Sequence, residues 1–338
     1  MPPSKLLVVL GATGTQGGSV VSTFENDPRW RIRGLTRNTA SRRSQELSSR
    51  GIEMVSADLN DAASLARAFE GAAVIFAVTD FWQPLNDPKL KASVGPGQTL
   101  SRRAYEYELQ QGKNIFDAAA KVDGLERLVF SGIADVAEQS GGKYTGVYHS
   151  DTKTHAERYG RETYPGLWKR TNVIQVGYYL SNWLEHPSEM PKKEAAGTFN
   201  FISQFSSDTP LPLIAAGEDT GPLVQALLHE EPGKKLMGYR EWMTVGEFIE
   251  TWSRVLGVQA ELTTLPIEDI LDAMGGEMAP DVRDILAKGM GYLAEFGYKL
   301  REDPGMLQPE QLKSSVRLQT VEQWIRTQDW SKVLNGTA

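Results

Sequence analysis

Hydrophobic residues along this chain come in short blocks that alternate with amphipathic stretches. Lys5 to Leu10 (KLLVVL) is an apolar run rich in branched side chains, the pattern of a buried strand. Ser19, Val20, Val21 and Phe24 then fall at helical spacing. Trp30 to Leu35 alternates as a second strand, and Ser41 to Arg50 reads as a charged helix. Glu53 to Ser56 gives a third strand. Ala62 to Phe69 puts Leu65, Ala68 and Phe69 on one face of a packing helix. Ala73 to Val78 (AVIFAV) is wholly apolar, as a strand covered on both faces must be. Tyr105 to Val122 returns to helix, with Ile115, Ala118, Ala119 and Val122 toward the sheet. Leu125 to Ser131 predicts a fifth strand and Lys169 to Val176 a sixth. Strands alternating with helices at this rhythm predict an α/β fold, a doubly wound parallel sheet whose ligands lie at the carboxyl ends of its strands.

Two regions break the rhythm. From Gln83 to Ala104 the chain carries Pro84, Pro88, Gly95, Pro96 and Gly97 with no apolar period. It predicts a long insert leaving the ligand edge, suited to a lid or a partner-binding segment. Beyond Gly177 the elements shorten. Asp219-Thr220-Gly221 starts a helix (Leu223 to Leu228), Thr244 with Glu247 forms a capping box, and so does Thr320 with Gln323, whose helix should dock through Trp324 and Ile325. Ala260 to Leu265 reads as a strand and Ile267 to Met274 as a short helix. The expected division is a nucleotide-binding domain over residues 1–177, carrying the 83–104 insert, and a smaller mixed α/β domain over 178–338 that closes over the site.

The chemistry concentrates between the first strand and first helix, where Gly11, Gly14 and Gly17 stand at G-x-x-G-x-x-G spacing in GATGTQG. The first glycine allows the tight exit from the strand, the second lets a pyrophosphate approach the backbone, and the third lets the helix pack closely. The helix N-terminus offers free N–H groups and partial positive charge to phosphate oxygens. At the end of the second strand an NAD site usually places a carboxylate for the ribose 2′-hydroxyl. Here Thr36-Arg37-Asn38 stands instead, with Ser41, Arg42 and Arg43 beyond. A guanidinium suits a 2′-phosphate, so NADP(H) is the expected cofactor. Asp58-Leu59, ending the third strand, falls where an adenine would lie, and Thr79-Asp80-Phe81 ends the fourth.

Composition narrows the partners. The chain has 338 residues, 40% hydrophobic and 23% charged, as an ordinary globular protein does. It has no cysteine, which removes disulfides, thiolate catalysis and cysteine-ligated zinc. A net charge of −7 speaks against nonspecific nucleic-acid binding, and no apolar run reaches membrane-spanning length. His155, His186 and His229 are scattered without ligand spacing, so no metal is expected. The expected compartment is the cytoplasm, with the nucleus added for a regulatory role.

Together GATGTQG, TRN, ADL, VTDFW, FSG and HSDTK, each at its own strand end or helix start, resemble the NmrA-like family of atypical short-chain dehydrogenase/reductases. The resemblance implies a Rossmann-type fold with a small C-terminal domain and a preference for NADP(H). It implies that Gly11, Ala12, Thr13, Gly14, Thr15, Gln16 and Gly17 hold the pyrophosphate and that Arg37, Asn38, Thr39, Ala40 and Ser41 hold the 2′-phosphate. Asp58 and Leu59 would flank the adenine, and Thr79, Asp80 and Phe81 would line the nicotinamide ribose. Lys153 would hydrogen-bond that ribose, and Gly177, Tyr178, Tyr179 and Leu180 would close the site. Relatives carry a cofactor-contacting lysine where this chain has Gln110, a contact that Lys113 or the insert would have to replace.

Orthodox short-chain dehydrogenases use Tyr-x-x-x-Lys. Four residues before Lys153 stands His149, so that dyad is absent. Tyr148, five before, turns about 140° away on a helix, whereas His149 turns only about 40°. Candidate catalytic residues are therefore Lys153 alone as acid or base, as isoflavone-reductase-like relatives imply, His149 as a proton relay, and Ser131 polarising a carbonyl. Two functions stay open. One is an NADPH-dependent oxidoreductase acting on a small carbonyl or enone, as in fungal secondary metabolism. The other is a non-catalytic NADP(H) redox sensor that regulates transcription through a protein partner.

Overall fold

The computed structural model describes residues 4–273, 278–298 and 305–336. The first six strands follow the apolar blocks: β1 (Lys5–Val9), β2 (Trp30–Thr36), β3 (Glu53–Ser56), β4 (Val74–Ala77), β5 (Arg127–Gly132) and β6 (Thr171–Val176). Helices α1 (Thr15–Phe24), α2 (Arg42–Ser49), α3 (Ala62–Phe69), α4 (Pro88–Ala92), α5 (Leu100–Ala119), α6 (Val136–Gln139) and α7 (Tyr148–Thr163) stand between them. The later strands are β7 (Tyr178–Tyr179), β8 (Lys192–Lys193), β9 (Phe199–Ser203), β10 (Pro210–Ile214), β11 (Lys235–Gly238), β12 (Glu241–Thr244), β13 (Ala260–Thr264) and β14 (Met306–Leu307).

Eight strands form one parallel sheet in the order β14-β11-β6-β5-β4-β1-β2-β3. The order reverses at β1, which pairs with β2 through Leu7 and Ile32 and with β4 through Leu7 and Val74. That reversal opens a crevice at the carboxyl edge. The fold is thus the doubly wound Rossmann type expected from the alternating pattern. One face of the sheet is covered by α1 and the helix Ala216–Leu227, through Val20, Val21, Phe24, Leu223 and Leu227. The other is covered by α3 and α5 through Leu65, Phe69, Ile115 and Phe116. Two small mixed sheets, β12-β10-β7 and β13-β9-β8, surround a third core rich in aromatics, among them Trp183, Phe248, Trp252 and Trp324.

Two expectations need correction. Cutting the chain at 177/178 does not separate two units, because β11 and β14 complete the large sheet beside β6. Helix Ala216–Leu227 also presses on α1 so closely that a Cβ on Gly221 would meet the Ser19 carbonyl oxygen at 2.3 Å. The C-terminal half therefore folds partly into the large sheet. Nor is 83–104 irregular throughout. Gln83–Asn86 is a 3-10 turn, Asp87 caps α4 with Pro88 in its first turn, and Thr99 caps α5. Helix α5 thus begins at Leu100, five residues before the apolar period becomes visible at Tyr105. Leu85 and Leu90 anchor the segment against Phe81, Ala104 and Ile285. Two anchors five residues apart, with Pro88 between them, leave no periodic signature.

The C-terminal capping boxes form at Thr244 with Glu247 and at Thr320 with Gln323, and Trp324 and Ile325 are buried. Ile267–Ala273 is helical; Met274, its expected end, lies outside the described residues.

Candidate active site

Where β1 ends, Leu10 donates its N–H to the Phe76 carbonyl, and the chain leaves the sheet at the crevice. Gly11 turns it with φ +63°, a conformation that favours glycine. A Cβ on Gly17 would sit 2.2 Å from the Gly11 carbonyl oxygen, so α1 touches the strand exit only because Gly17 is bare. Gly14 caps α1 without any side-chain acceptor. The first-turn N–H groups of α1 have no intrahelical partners, and Thr15, Gln16 and Gly17 line an open cleft of about 1420 Å³.

That cleft follows the carboxyl edge of the sheet. Gly11, Thr13, Gly14, Arg37, Asp58, Leu59, Thr79, Asp80, Phe81, Lys153, Gly177, Tyr178 and Tyr179 line it, as do Ser131 and His149. The others fall elsewhere. Ala12 and Leu180 are wholly buried in the cores on either side. Asn38, Thr39, Ala40 and Ser41 form a turn beyond Arg37, where Asn38 Oδ1 accepts from the Ala40 N–H and Ser41 Oγ caps α2 by accepting from Ser44 N–H. Gln110 is exposed and donates to Asn114 Oδ1, while Lys113 rests over the Tyr159 ring. Its neighbour Gln111 is the residue that reaches the cleft, so Lys113 makes no replacement contact there.

Beneath Lys153 lies a residue that motif reading missed. Glu108, 1% exposed, accepts from Thr79 Oγ1 at 2.6 Å, from Thr152 Oγ1 and from Lys153 Nζ at 2.5 Å. This buried carboxylate ties α5, α7 and the end of β4 together and fixes the ammonium at the cleft wall. Its signal was present in the sequence: an acid within the buried stripe Ala104, Glu108, Gly112, Ile115 and Ala119 of α5 demands a partner.

The remaining candidates are constrained by their neighbours. Ser131 Oγ donates to Gln16 Oε1 at 2.8 Å, and Gln16 Nε2 donates to the Tyr179 hydroxyl at 2.9 Å. The serine proton is therefore engaged with the glycine loop. His149 packs against Trp82 with ring centroids 5.1 Å apart, and its Nδ1 has no partner. Burial, reinforced by the Lys153 ammonium, pushes its pKa down to about 3. At neutral pH this imidazole holds no second proton to give, which weakens the relay scheme. Tyr148 turns away to pack against Tyr105 at a tilt, with centroids 5.0 Å apart. No group of His, Asp and Glu among the described residues could hold a metal ion.

Past Lys153 the cleft continues between the small sheets and the helix Pro280–Phe296. Its walls there mix aromatic and apolar side chains, such as Trp183, Phe205, Met290 and Tyr298, with polar ones, among them Asn182, His186 and Gln204. Glu189 lies there too and accepts from the Tyr178 hydroxyl.

Comparison with known proteins agrees with this architecture. The chain matches the NmrA-like family over residues 3–325. It is 29% identical to an NmrA-like family domain-containing oxidoreductase of Aspergillus hancockii, over 83% of this chain and 80% of that one. A similarly described oxidoreductase of Penicillium ochrochloron is 27% identical over 95% of this chain and 96% of its own. Among solved structures, NmrA, a negative transcriptional regulator, superposes with a TM-score of 0.71 at 20% identity, covering 96% of this chain and 95% of the other. The leucoanthocyanidin reductase–NADPH complex of Vitis vinifera gives 0.68 at 14%, covering 98% and 99%.

Proposed function

This chain belongs to the NmrA-like family, and on that premise we propose that it binds NADP(H) in the cleft and reduces a small polarised double bond, a carbonyl or enone. The carrying observation is the cradle at the first strand. Gly11 and Gly17 approach so closely that a Cβ would fill the contact, and α1 opens with uncapped N–H groups. These features fit a pyrophosphate. Arg37 is exposed at the cleft edge with no carboxylate beside it at the end of β2, which fits a 2′-phosphate better than a bare ribose hydroxyl. Solved NmrA structures hold NAD or NADP, so cofactor choice is a property to be measured on this chain.

When bound, a reduced nicotinamide supplies hydride. The protein's own part is positioning and charge. Lys153, steered by Glu108, presents an ammonium toward the cleft end where Thr79, Tyr178 and Tyr179 meet. There it can hold a ribose hydroxyl or support negative charge developing on a substrate oxygen. Trp82 and Phe81 beside His149 keep that end apolar.

A second reading, a non-catalytic NADP(H) sensor acting through a protein partner, is favoured by two features: the dyad phenol is absent and Ser131 is committed to Gln16. Steady NADPH consumption against a panel of aldehydes, ketones, enones and imines separates the two. Turnover lost in Lys153→Ala with the fold intact supports the reductase. Silence across the panel, with tight NADP binding, supports the sensor.

A further inference from the structure

Helix α7 lacks the dyad phenol, but β7 brings another hydroxyl of the same kind to the cleft. Among the described residues, Tyr178, Tyr179, Tyr292 and Tyr298 line it. Tyr178 gives its proton to Glu189, and Tyr292 gives its own to Gln139 Oε1. Tyr298 packs into the cores around Trp183 and Met237. Tyr179 is tied instead to the glycine loop, where its oxygen accepts from Gln16 Nε2 at 2.9 Å. The direction of that bond is set by its neighbour. Ser131 Oγ donates to Gln16 Oε1 at 2.8 Å, which leaves the amide nitrogen to face the phenol, and an amide nitrogen only donates. The Tyr179 oxygen therefore spends a lone pair on Gln16 and keeps its own proton. That proton has no acceptor among the described residues, although the residue is half-buried. A polar hydrogen in such a place calls for a partner in the cleft.

The ring is also held from its backbone. Tyr179 pairs in register with Ile214 of β10, and Leu180 donates its N–H to the Ile214 carbonyl. Gly177, two residues earlier, lies so near β10 that a Cβ would meet the Pro212 carbonyl oxygen at 2.0 Å. The phenol oxygen is thus fixed one side chain away from the first turn of α1, in the cleft that Thr79 and Lys153 also line.

We propose that Tyr179 is the general acid of the reaction, its oxygen held by Gln16 and its O–H turned toward the substrate oxygen. This rests on the proposed NADPH-dependent carbonyl reduction and supplies the proton that such a reduction needs. The carbonyl carbon accepts hydride from the reduced nicotinamide, and the C=O π pair moves to oxygen. That oxygen takes the Tyr179 proton, and the O–H bonding pair stays behind on the phenolate. An alcohol, oxidised nicotinamide and tyrosinate result, and solvent returns a proton to Tyr179. The Gln16 N–H remains on the phenolate and strengthens as its charge develops. Burial raises the pKa of the phenol, with the Gln16 bond the main opposing influence, so the donor holds its proton through the neutral range. The other candidates are spent: His149 holds no second proton, Tyr148 faces away and Ser131 is engaged.

The test uses the full-length protein and follows NADPH absorbance with a panel of aldehydes and ketones. Tyr179→Phe keeps the ring and removes only the hydroxyl. The expected result is a fall in kcat of about 100-fold or more, with the carbonyl KM and the calorimetric NADP+ affinity within about three-fold of the wild type. Wild-type kcat should also fall at alkaline pH as the phenol ionises. Difluorotyrosine at position 179, a more acidic phenol of nearly the same shape, should move that fall to lower pH. A Tyr179→Phe protein with kcat near the wild-type value overturns the donor while the reduction stands. So does a loss carried by NADP+ affinity alone, a larger fall in kcat for Tyr298→Phe, or an alkaline limb that difluorotyrosine leaves in place. Absence of NADPH consumption by the wild type with every carbonyl overturns the reduction itself, and the donor with it.

Discussion

Glu108→Gln isolates the buried node beneath the cleft. The substitution keeps the shape and removes the charge from a carboxylate that accepts from Thr79, Thr152 and Lys153. An amide oxygen has two lone pairs and the amide nitrogen none to offer, so one donor must turn away and the ammonium loses its counter-charge. Removing one partner from a buried pair costs roughly 3–5 kcal/mol. Lys153 keeps a side chain that is 13% exposed and reaches cleft water, which places the loss at the lower end, about 3 kcal/mol. With an unfolding entropy of about 2.1 cal/mol/K per residue over 338 residues, that loss lowers Tm by about 4 °C. Thermal and urea melts of the wild type, Glu108→Gln, Lys153→Met and the double variant form a cycle. The double variant should lose about 2 kcal/mol less than the sum of the singles, because the second change removes a charge already orphaned. Singles that add within about 0.5 kcal/mol, or a Glu108→Gln protein melting with the wild type, would refute the node.

Other substitutions test separate parts. Arg37→Asp should weaken NADP+ on the order of 100-fold, since it removes a charge-assisted contact and adds repulsion, while NAD+ changes only a few-fold; equal losses in calorimetry would contradict the 2′-phosphate role. Gly17→Ala drives a Cβ to 2.2 Å from the Gly11 carbonyl oxygen, so both nucleotides should lose affinity together and Tm should fall; unchanged binding would remove the cradle. Glu157, whose Oε1 has no partner, is raised to about 7, chiefly by burial. Because its folded pKa lies above the unfolded one, its stabilising contribution is full below about pH 4.5 and is lost as pH rises through about 7, on the order of 3 kcal/mol. Glu157→Gln should therefore stabilise the protein at pH 8 and not at pH 4 in urea melts, and an equal effect at both would sink this reading. His149→Phe should leave the pH profile of any NADPH oxidation unchanged between pH 5 and 8, because the imidazole is already neutral there.

The sheet was legible because its strands are continuous apolar blocks and its helices keep one periodic face. The Glu53–Ser56 strand and the Ala62–Phe69 helix fall where the pattern put them. The glycine triplet was legible for a steric reason that spacing alone records. What escaped was organised across distance. Leu85 and Leu90 give the insert order by touching Ile285, nearly two hundred residues away, and no local period announces such a contact. β11 and β14 are short strands completing a sheet started at residue 5, so their allegiance is invisible from their own sequence. Glu108 was legible only as the start of the run that carries Gln110. Its role becomes visible only when burial shows what surrounds it, although an acid inside the apolar stripe of α5 was a readable warning.

The most direct measurement is a pair of calorimetric titrations of the wild-type protein, with NADP+ and with NAD+, in one buffer at one ionic strength. Occupation of the α1 N-terminus, with Arg37 holding the extra phosphate, predicts one site per chain and NADP+ bound at least about ten-fold tighter than NAD+. Absence of heat with both nucleotides, or tighter binding of NAD+, would contradict it.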